Sequence, residues 1–560
     1  MVADRARNTL RQARFLTAGD SVRDFVGRRD RDDLYRIRLG SRSQVALRLG
    51  NVQRGAKVRV EIFSAKGAIG RIGRINFSDL TRRQVRQNLT RLGSSSGAID
   101  RTLEAGQYYL RISPQRGESR YRLSVNATPI SPSPSPTPAP APTPVNFSLG
   151  WLRQVGTGGN DYAYGIAIDS SGNNIYVSGT TSQVSDAART DSFVAQYDSS
   201  GNVVGASLRR FGSTDDDAAF GVAIDAAGNY TAVGITNLFI DRSNALNSRL
   251  DGSLIQFDSS GSQNWQALVE STISIPFLGN RPAGDAVSSV AIDAAGNLYV
   301  AGFTGESLSD LAQAFVAKYK PNGDREWLTK YGTNGADAAS GVALDAAGNI
   351  YITGVRNARL NINSAGNLDG LFTEGDAFVA KFNSSGALQW DETLGTPDQS
   401  QIQDYARGIA VTADGTIYIA GQTDGTLAGQ TSAGDRDAFI ARYSTDGTLG
   451  WVKQFGTSSL DEAQGIAIAP DGSVYLSGET NAALFGQTYA GGADSFFAQF
   501  ASNGDQLSVR QFGTNRNDES YNLRFDDAGN LYVIGQTEGE FAGQTSAGQY
   551  DVFIAKYTPQ

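Results

Sequence analysis

The chain contains no cysteine and no histidine, and its single methionine is Met1. Without thiols there is neither a disulfide framework nor thiolate chemistry. Without imidazole, Ser-His-Asp and Cys-His nucleophile systems are excluded and the commonest zinc ligand is missing. Beyond Met1 no thioether is left to oxidise, which suits an oxidising or exposed setting. No apolar run approaches the ~18 residues needed to span a bilayer as a helix. The opening MVADRARNTLRQ lacks the apolar stretch of a secretory leader, so no N-terminal signal peptide is recognisable in this numbering. What is abundant is glycine, 65 of 560 residues, with aromatics at 9% and charged residues at 19%, the balance of a turn-rich β protein.

Charge is divided unevenly. Residues 1–128 carry 27 Lys+Arg against 11 Asp+Glu, and 25 of the basic residues are Arg, while the remainder of the chain is strongly acidic. Arginine suits bidentate contact with carboxylate, sulfate or phosphate, so this segment is a candidate binder of an anionic polymer or simply a solvated basic surface. The two charge regimes meet at residues 129–145, PISPSPSPTPAPAPTPV, where alternating proline predicts a stiff extended linker. Three parts follow: a basic domain at 1–128, the linker at 129–145 and an acidic domain at 146–560.

In the basic domain, short alternating runs such as VALRL (45–49), VRVEIF (58–63), QYYLRI (107–112) and YRLSV (121–125) predict a small β-sandwich. Asp33-Leu-Tyr-Arg-Ile and Leu103-Glu-Ala-Gly-Gln-Tyr-Tyr-Leu-Arg-Ile resemble motifs of the bacterial pre-peptidase C-terminal domain. That resemblance implies an extracellular or cell-surface setting.

In the acidic domain one phrase recurs seven times, beginning at residues 165, 221, 289, 341, 408, 465 and 522: Gly-Ile-Ala-Ile-Asp in the first copy, Asn-Leu-Arg-Phe-Asp in the last. Each copy heads a unit with four strand-like segments, in the first GIAID, NIYVSG, SFVAQY and VVGASLRRF, joined by Asp-Ser-Ser-Gly-Asn turns. Four strands at this period predict a propeller blade. The last unit stops after its third strand, Val552–Tyr557, while the domain opens with an orphan fourth strand, Leu149–Val155. Pairing the two would close the ring and remove its open edges. The predicted fold is therefore all-β: an N-terminal β-sandwich joined by the Pro-rich linker to a seven-bladed β-propeller closed by its terminal strands. Trp451-Val-Lys-Gln-Phe-Gly, the Ala-Gly-Asn-Leu-Tyr-Val turn at 295–300 and Asp376-Ala-Phe-Val-Ala-Lys resemble the SBBP-type propeller repeats of bacterial surface and secreted proteins.

Three recurring residue sets are candidates for chemistry. Trp151, Trp265, Trp327, Trp390 and Trp451 lie in fourth strands, where a large ring serves blade packing better than ligand stacking. One aspartate set precedes the first strand: Asp161, Asp217, Asp285, Asp337, Asp404, Asp461 and Asp518. Another precedes the third strand: Asp191, Asp376, Asp437, Asp494 and Asp551. Both belong on one face, around one mouth of the channel. Such carboxylates could bind calcium or act as acid and base on a glycosidic bond, but near-identity from blade to blade suits hydrogen-bonded loop anchors better than an asymmetric catalytic pair. No calcium-loop spacing is present. No catalytic residue, metal or cofactor is expected.

Insertions at 237–252, 271–288, 355–375 and 396–407 fall on that same face and bring Arg242, Arg249, Arg281, Arg356, Arg359 and Arg407 into an acidic domain. Variable loops on a rigid ring are where binding surfaces form. The expectation is a monomeric, non-catalytic binding or adhesion scaffold, extracellular or on the cell surface, that recognises an extracellular polysaccharide or protein through these loops. The other reading is a carboxylate-dependent glycan-cleaving enzyme at the channel mouth.

Overall fold

The computed structural model describes residues 14–16, 21–26, 33–39, 43–52, 56–65, 89–95, 98–103, 106–116 and 119–129, together with 144–560 except 170, 184–185, 206–207, 240–248, 270–271, 276–278, 283, 306–311, 334, 361–371 and 397–401. The chain divides into two compact units, Met1–Ala139 and Pro140–Gln560, so the division falls within the proline-rich stretch. Residues 130–143 of that stretch lie outside the described residues.

In the first unit, one sheet runs in the order Arg14–Leu16, Asp33–Leu39, Gly106–Arg116, Lys57–Ala65 and Leu89–Ser95. A second sheet runs Ser21–Val26, Ser119–Pro129, Ser43–Gly50 and Ala98–Leu103. Alternate residues of each strand point to one face. Ile37, Val60, Ile62 and Leu110 from one sheet accordingly share a core with Leu47, Leu123 and Val125 from the other. Asp33 is buried beneath it, a carboxylate that must find donors. The Tyr121 hydroxyl donates to Asp33 Oδ2 at 2.5 Å and meets the Tyr35 hydroxyl at 2.8 Å. Burial, reinforced by Tyr35 and Asp33, holds the Tyr121 phenol well above its usual pKa. The Asp33-Leu-Tyr phrase thus clasps its strand to the last strand of the unit.

The second unit is built of antiparallel sheets, seven of them with four principal strands among the described residues, each named here by those strands in chain order; Phe372–Thr373 adds a short fifth strand to sheet four, and Thr272–Ile275 with Gly279–Pro282 forms a separate hairpin. Sheet one is Asp161–Ile168, Ile175–Gln183, Asp186–Tyr197 and Arg209–Phe211; sheet two is Asp216–Ile224, Tyr230–Phe239, Arg249–Phe257 and Gln263–Val269. Sheet three is Asp285–Ile292, Leu298–Thr304, Gln313–Tyr319 and Arg325–Tyr331; sheet four is Ala336–Leu344, Ile350–Leu360, Asp376–Phe382 and Leu388–Leu394. Sheet five is Asp404–Val411, Ile417–Thr423, Asp437–Tyr443 and Leu449–Phe455; sheet six is Asp461–Ile468, Val474–Thr480, Asp494–Phe500 and Gln506–Phe512. Sheet seven takes three strands from the end of the chain, Asp518–Phe525, Leu531–Thr537 and Asp551–Pro559, and its fourth, Phe147–Val155, from the beginning. That fourth strand pairs antiparallel with the terminal one, from Phe147 opposite Pro559 to Val155 opposite Val552.

First strands of successive sheets lie side by side, and sheet seven's lies beside sheet one's, where the Tyr164 and Tyr521 rings sit 5.2 Å apart. Sheets stacked in this way cover both faces of the middle strands. Leu298–Thr304, Ile417–Thr423, Asp494–Phe500 and Leu531–Thr537 are buried throughout, and so read as continuous rather than alternating apolar runs.

Two glycine positions make the stacking possible. Every first strand carries a bulge early in its register, as between Ala163 and Gly165 or Ala406 and Gly408. The bulge drives a carbonyl against the second strand, where a Cβ on Gly421 would lie 1.9 Å from the Tyr405 oxygen and one on Gly478 1.8 Å from that of Glu462. The other position is the left-handed glycine of the hairpin between third and fourth strands. Trp151 lies under Gly201, Trp265 under Gly323, Trp327 under Gly386, Trp390 under Gly447 and Trp451 under Gly504, each reaching from one sheet to the next. The indole of Trp451 also donates to the Ser502 carbonyl at 3.0 Å, as Trp151 does to Ser199 at 3.1 Å. In sheet one Arg209 takes over, donating to the Gly261 carbonyl. Sheet seven has no such hairpin, because chain ends stand there. Sheet six correspondingly places Ser508 at the tryptophan register, and Arg510 binds the Phe147 carbonyl at 3.0 Å instead.

Two outcomes are expected. Gly421→Ala destabilises the second unit by about 3 kcal/mol through collision with rigid backbone, measured by urea unfolding with tryptophan fluorescence, since all five tryptophans lie in this unit. Deleting residues 144–156 leaves Asp551–Pro559 as a bare edge and produces higher oligomers on size-exclusion chromatography; a stable monomer would contradict the closure.

Candidate functional site

The two predicted aspartate sets meet at the joints between sheets. Asp161 N–H donates to the Tyr550 carbonyl at 3.0 Å, Asp404 N–H to Gly375 at 2.9 Å, Asp461 N–H to Arg436 at 3.0 Å and Asp518 N–H to Ala493 at 2.7 Å. Each acceptor is the residue just before a third-strand aspartate of the preceding sheet, so the two loop families share one face.

The first set is buried. Backbone N–H groups of Thr157, Ser213, Thr333, Thr396, Thr457 and Thr514 donate to Asp161, Asp217, Asp337, Asp404, Asp461 and Asp518 over 2.5–2.7 Å. The hydroxyls of Thr236, Thr423 and Thr480 donate to the other oxygen of Asp217, Asp404 and Asp461. Asp285 is fully buried at the same strand position. Burial raises the pKa of Asp161, Asp217, Asp337, Asp404, Asp461 and Asp518 above the ordinary 3.8, against the lowering effect of these hydrogen bonds.

The second set is less uniform. Asp437, Asp494 and Asp551 accept from the backbone of Ala433, Ala490 and Ala547 at 2.8–2.9 Å. A fourth-strand glutamine completes each clamp. Gln454 donates to Asp437 at 2.7 Å and to the Gly425 carbonyl at 2.8 Å, and Gln511 and Gln154 do likewise for Asp494 and Asp551. Asp376 is half-buried, and burial raises its pKa. Asp191 is partly exposed, 4.0 Å from Arg210.

The predicted arginines do not come together. Arg242 lies outside the described residues; Arg249 and Arg281 stand in strands opposite Phe239 and Ile273, with their side chains outside the described set. Arg359 is exposed and pairs with Glu374 at 2.9 Å. Arg356, expected on a presented loop, is instead 7% exposed: it pairs with Asp391 at 2.8 Å, donates to Thr393 at 2.7 Å and bonds the Tyr331 hydroxyl. It is a strut between sheets three and four: the two terminal nitrogens are engaged by Tyr331, Asp391 and Thr393, which offsets the cost of burying the charge, while Nε has no partner among the described residues. Of the three whose side chains are described, Arg407 lines the cavity, lying 4.3 Å from the Tyr405 ring centre.

The first strands enclose a cavity of about 1000 Å³. Its rim was not anticipated from the repeat. The residue after each first-strand aspartate is Tyr162, Ala218, Ala286, Ala338, Tyr405, Glu462 and Glu519 in sheets one to seven. Their partners on the second strands are Thr180, Ile235, Phe303, Val355, Gln422, Glu479 and Gln536. Sheets two to four therefore contribute an apolar arc, in which Ala218, Ile235, Ala286, Phe303, Ala338 and Val355 form one cluster. Sheets five to seven and one contribute a polar, acidic and aromatic arc. There Arg436 pairs with Asp424 at 2.6 Å and with Glu462. Glu519 Oε2 accepts from the Tyr521 hydroxyl at 2.7 Å and from Gln536 Nε2 at 2.8 Å. The Tyr162 and Tyr550 rings lie tilted at 35° with centres 5.3 Å apart; burial first, then the charges of Glu519 and Asp161, raise the Tyr162 phenol pKa. The sequence signal for this rim was variation at one fixed repeat position.

Comparison with known proteins adds the following. The beta-propeller repeat family SBBP matches residues 150–183, 450–486 and 509–542. The regulatory protein FlaEY of Caulobacter vibrioides is 26% identical over 194 residues, covering 32% of this chain. The chain spans less than a fifth of the length of the curated relatives it matches, 19% and 17%. Among solved structures, the pre-peptidase C-terminal domain of a Bacillus anthracis collagenase aligns with 15% identity over 20% of this chain and 94% of that one, TM-score 0.15. The WD40 propeller domain of Doa1 aligns with 9% identity over 74% and 98%, TM-score 0.40.

The anchors generate two expectations. Asp461→Ala leaves the Thr457 N–H without its acceptor and removes the Thr480 hydroxyl's shorter bond, lowering stability by about 2 kcal/mol, read from urea midpoints. Anchor carboxyls with raised folded pKa contribute stability below that value and lose it as pH rises through it, whereas turn carboxyls such as Asp198, held low by the Asn202 amide, lose theirs as pH falls below 3.8. The fluorescence-monitored melting temperature should therefore peak on the acidic side of neutrality and fall on both flanks; a steady rise up to neutral pH would contradict it. Each matched stretch starts in a fourth strand and ends at or just beyond the end of the second strand of the following sheet, and by these three stretches the second unit is identified as carrying SBBP beta-propeller repeats.

Proposed function

We propose that the second unit is a seven-bladed β-propeller acting as a non-catalytic binding module, in an extracellular or cell-surface setting, with its ligand held at the channel rim on the face of the inter-sheet loops. One observation carries this reading. The first-strand aspartate that joins the sheets recurs in all seven, whereas the residue after it, which meets the cavity on that face, changes, passing from Ala218, Ala286 and Ala338 to Glu462, Glu519 and Tyr162. A pocket with an apolar wall and a few convergent polar groups is the usual form of a recognition site. The insertions of sheets two to four are proposed to supply further contact area for a polysaccharide or protein. The Arg-rich first unit is proposed as a second, independent site for anionic polymer.

The carboxylates offered by sequence for glycan cleavage favour the binding reading. Asp161, Asp404 and Asp461 spend both oxygens on backbone and threonine donors, which leaves them poorly placed to exchange protons with a substrate.

The test is an array of surface polysaccharides and proteins presented to the full chain, scored for both retention and product release. Saturable retention without turnover, weakened by Tyr162→Ala, is the expected result. Turnover abolished by a single Asp→Asn change at an anchor, with the fold intact, would establish the enzyme instead.

A further inference from the structure

The polar arc contains an atom with nothing to bind. Gln536 is 4% exposed and lines the cavity, and its Nε2 donates to Glu519 Oε2 at 2.8 Å. That bond fixes the orientation of the amide and leaves Oε1 a buried acceptor with no donor among the described residues. A buried acceptor without a donor is costly, so such a group marks a place where something else supplies one.

The surroundings specify the donor. Glu519, held by Tyr521 and Gln536, Glu479 on the neighbouring sheet and Glu538 beside Tyr550 place negative charge around this point. Three arginines line the cavity: Arg436, committed to Asp424 and Glu462, Arg407, which lies over Tyr405 on sheet five, and Arg524 on sheet seven, which donates to Asn522 Oδ1 at 3.0 Å and to the Leu523 carbonyl at 2.9 Å. Tyr162 and Tyr550, 5.3 Å apart, add aromatic faces. Carboxylates with aromatic faces and a neutral carbonyl acceptor suit an ammonium or guanidinium group, which can hydrogen-bond and lie against a ring in one pose. A metal ion is less suited, because among the described residues no three acidic groups converge closely enough to hold one.

We propose that the arc formed by sheets six, seven and one binds an organic cation, an ammonium or guanidinium group, seated between Glu519, Gln536 Oε1 and Tyr162. The group belongs either to a free polyamine or to a lysine or arginine side chain of a protein. This deepens the binding-module reading and rests on it.

Calorimetric titration of the full chain with spermidine, oligolysine and oligoarginine tests it. At least one probe should bind saturably. Glu519→Gln should weaken that binding by about tenfold or more, and Gln536→Leu, which removes the acceptor without adding charge, should weaken it as well. Asp527→Asn, an exposed carboxylate in the last hairpin turn, is the control for general charge and should leave it unchanged. Tryptophan fluorescence confirms that each variant is folded. Binding by spermidine points to a free amine, and binding by peptides alone to a protein partner. Saturable binding by none of the probes, or equal loss in Asp527→Asn, overturns the inference. If the array yields a ligand whose retention is indifferent to Glu519→Gln, the cation site falls while the binding module stands; an array with no ligand at all removes the module itself.

Discussion

The ring depends on how one sheet is joined to the next, and that joint is a buried aspartate. Its N–H bonds a carbonyl of the preceding sheet, and its carboxylate collects the N–H of the incoming loop, as Asp461 does with Arg436 and Thr457. The charge is expensive to bury, and fixed donors compensate for it. The arrangement sets the angle between neighbours, because the strand and the loop that precedes it are tied to the same side chain. Hydrophobic stacking supplies most of the driving force, while these polar joints decide that the sheets meet in one geometry rather than several.

At the outer rim the tryptophans perform the complementary task. An indole from one sheet lies under a hairpin of the next, where glycine leaves room, so that the joint is fastened near the axis by hydrogen bonds and near the edge by ring contact. Two sheets depart from this. Sheet one uses Arg209 under the Gly261 hairpin, and Ser508 of sheet six faces a sheet whose third and fourth strands are not joined by a hairpin.

Much of this was legible in advance. Repeated Asp-x-x-Gly-Asn turns, the recurring Ala-Ile-Asp phrase and the orphan strand at Leu149–Val155 are local signals with a single structural solution, and the strands are found where they indicated. The rim was harder to see. Reading for repetition directs attention to what is constant, such as Asp404 or Trp390, and away from the neighbouring position, where Tyr405 and Glu462 replace alanine. Arg356 shows the other limit. Its position in an insertion marked it as exposed, but burial depends on Tyr331, Thr393 and Asp391, which are distant in sequence and come together only when sheets three and four stack. For the first unit, composition revealed the arginine excess, and the strand pattern revealed two sheets with a common core.

The matched repeats begin in one sheet's outermost strand and finish in the next sheet, so a unit of sequence is out of phase with a unit of structure. Consequently each copy carries the outermost strand of one sheet and the first two strands of the next, which takes its own outermost strand from the copy that follows. Duplication of a whole unit would extend such a chain without ever exposing an unmatched strand internally; the entire burden of registration falls on the two termini. The ring can thus change its size over evolutionary time while its seam is always made of the same two pieces.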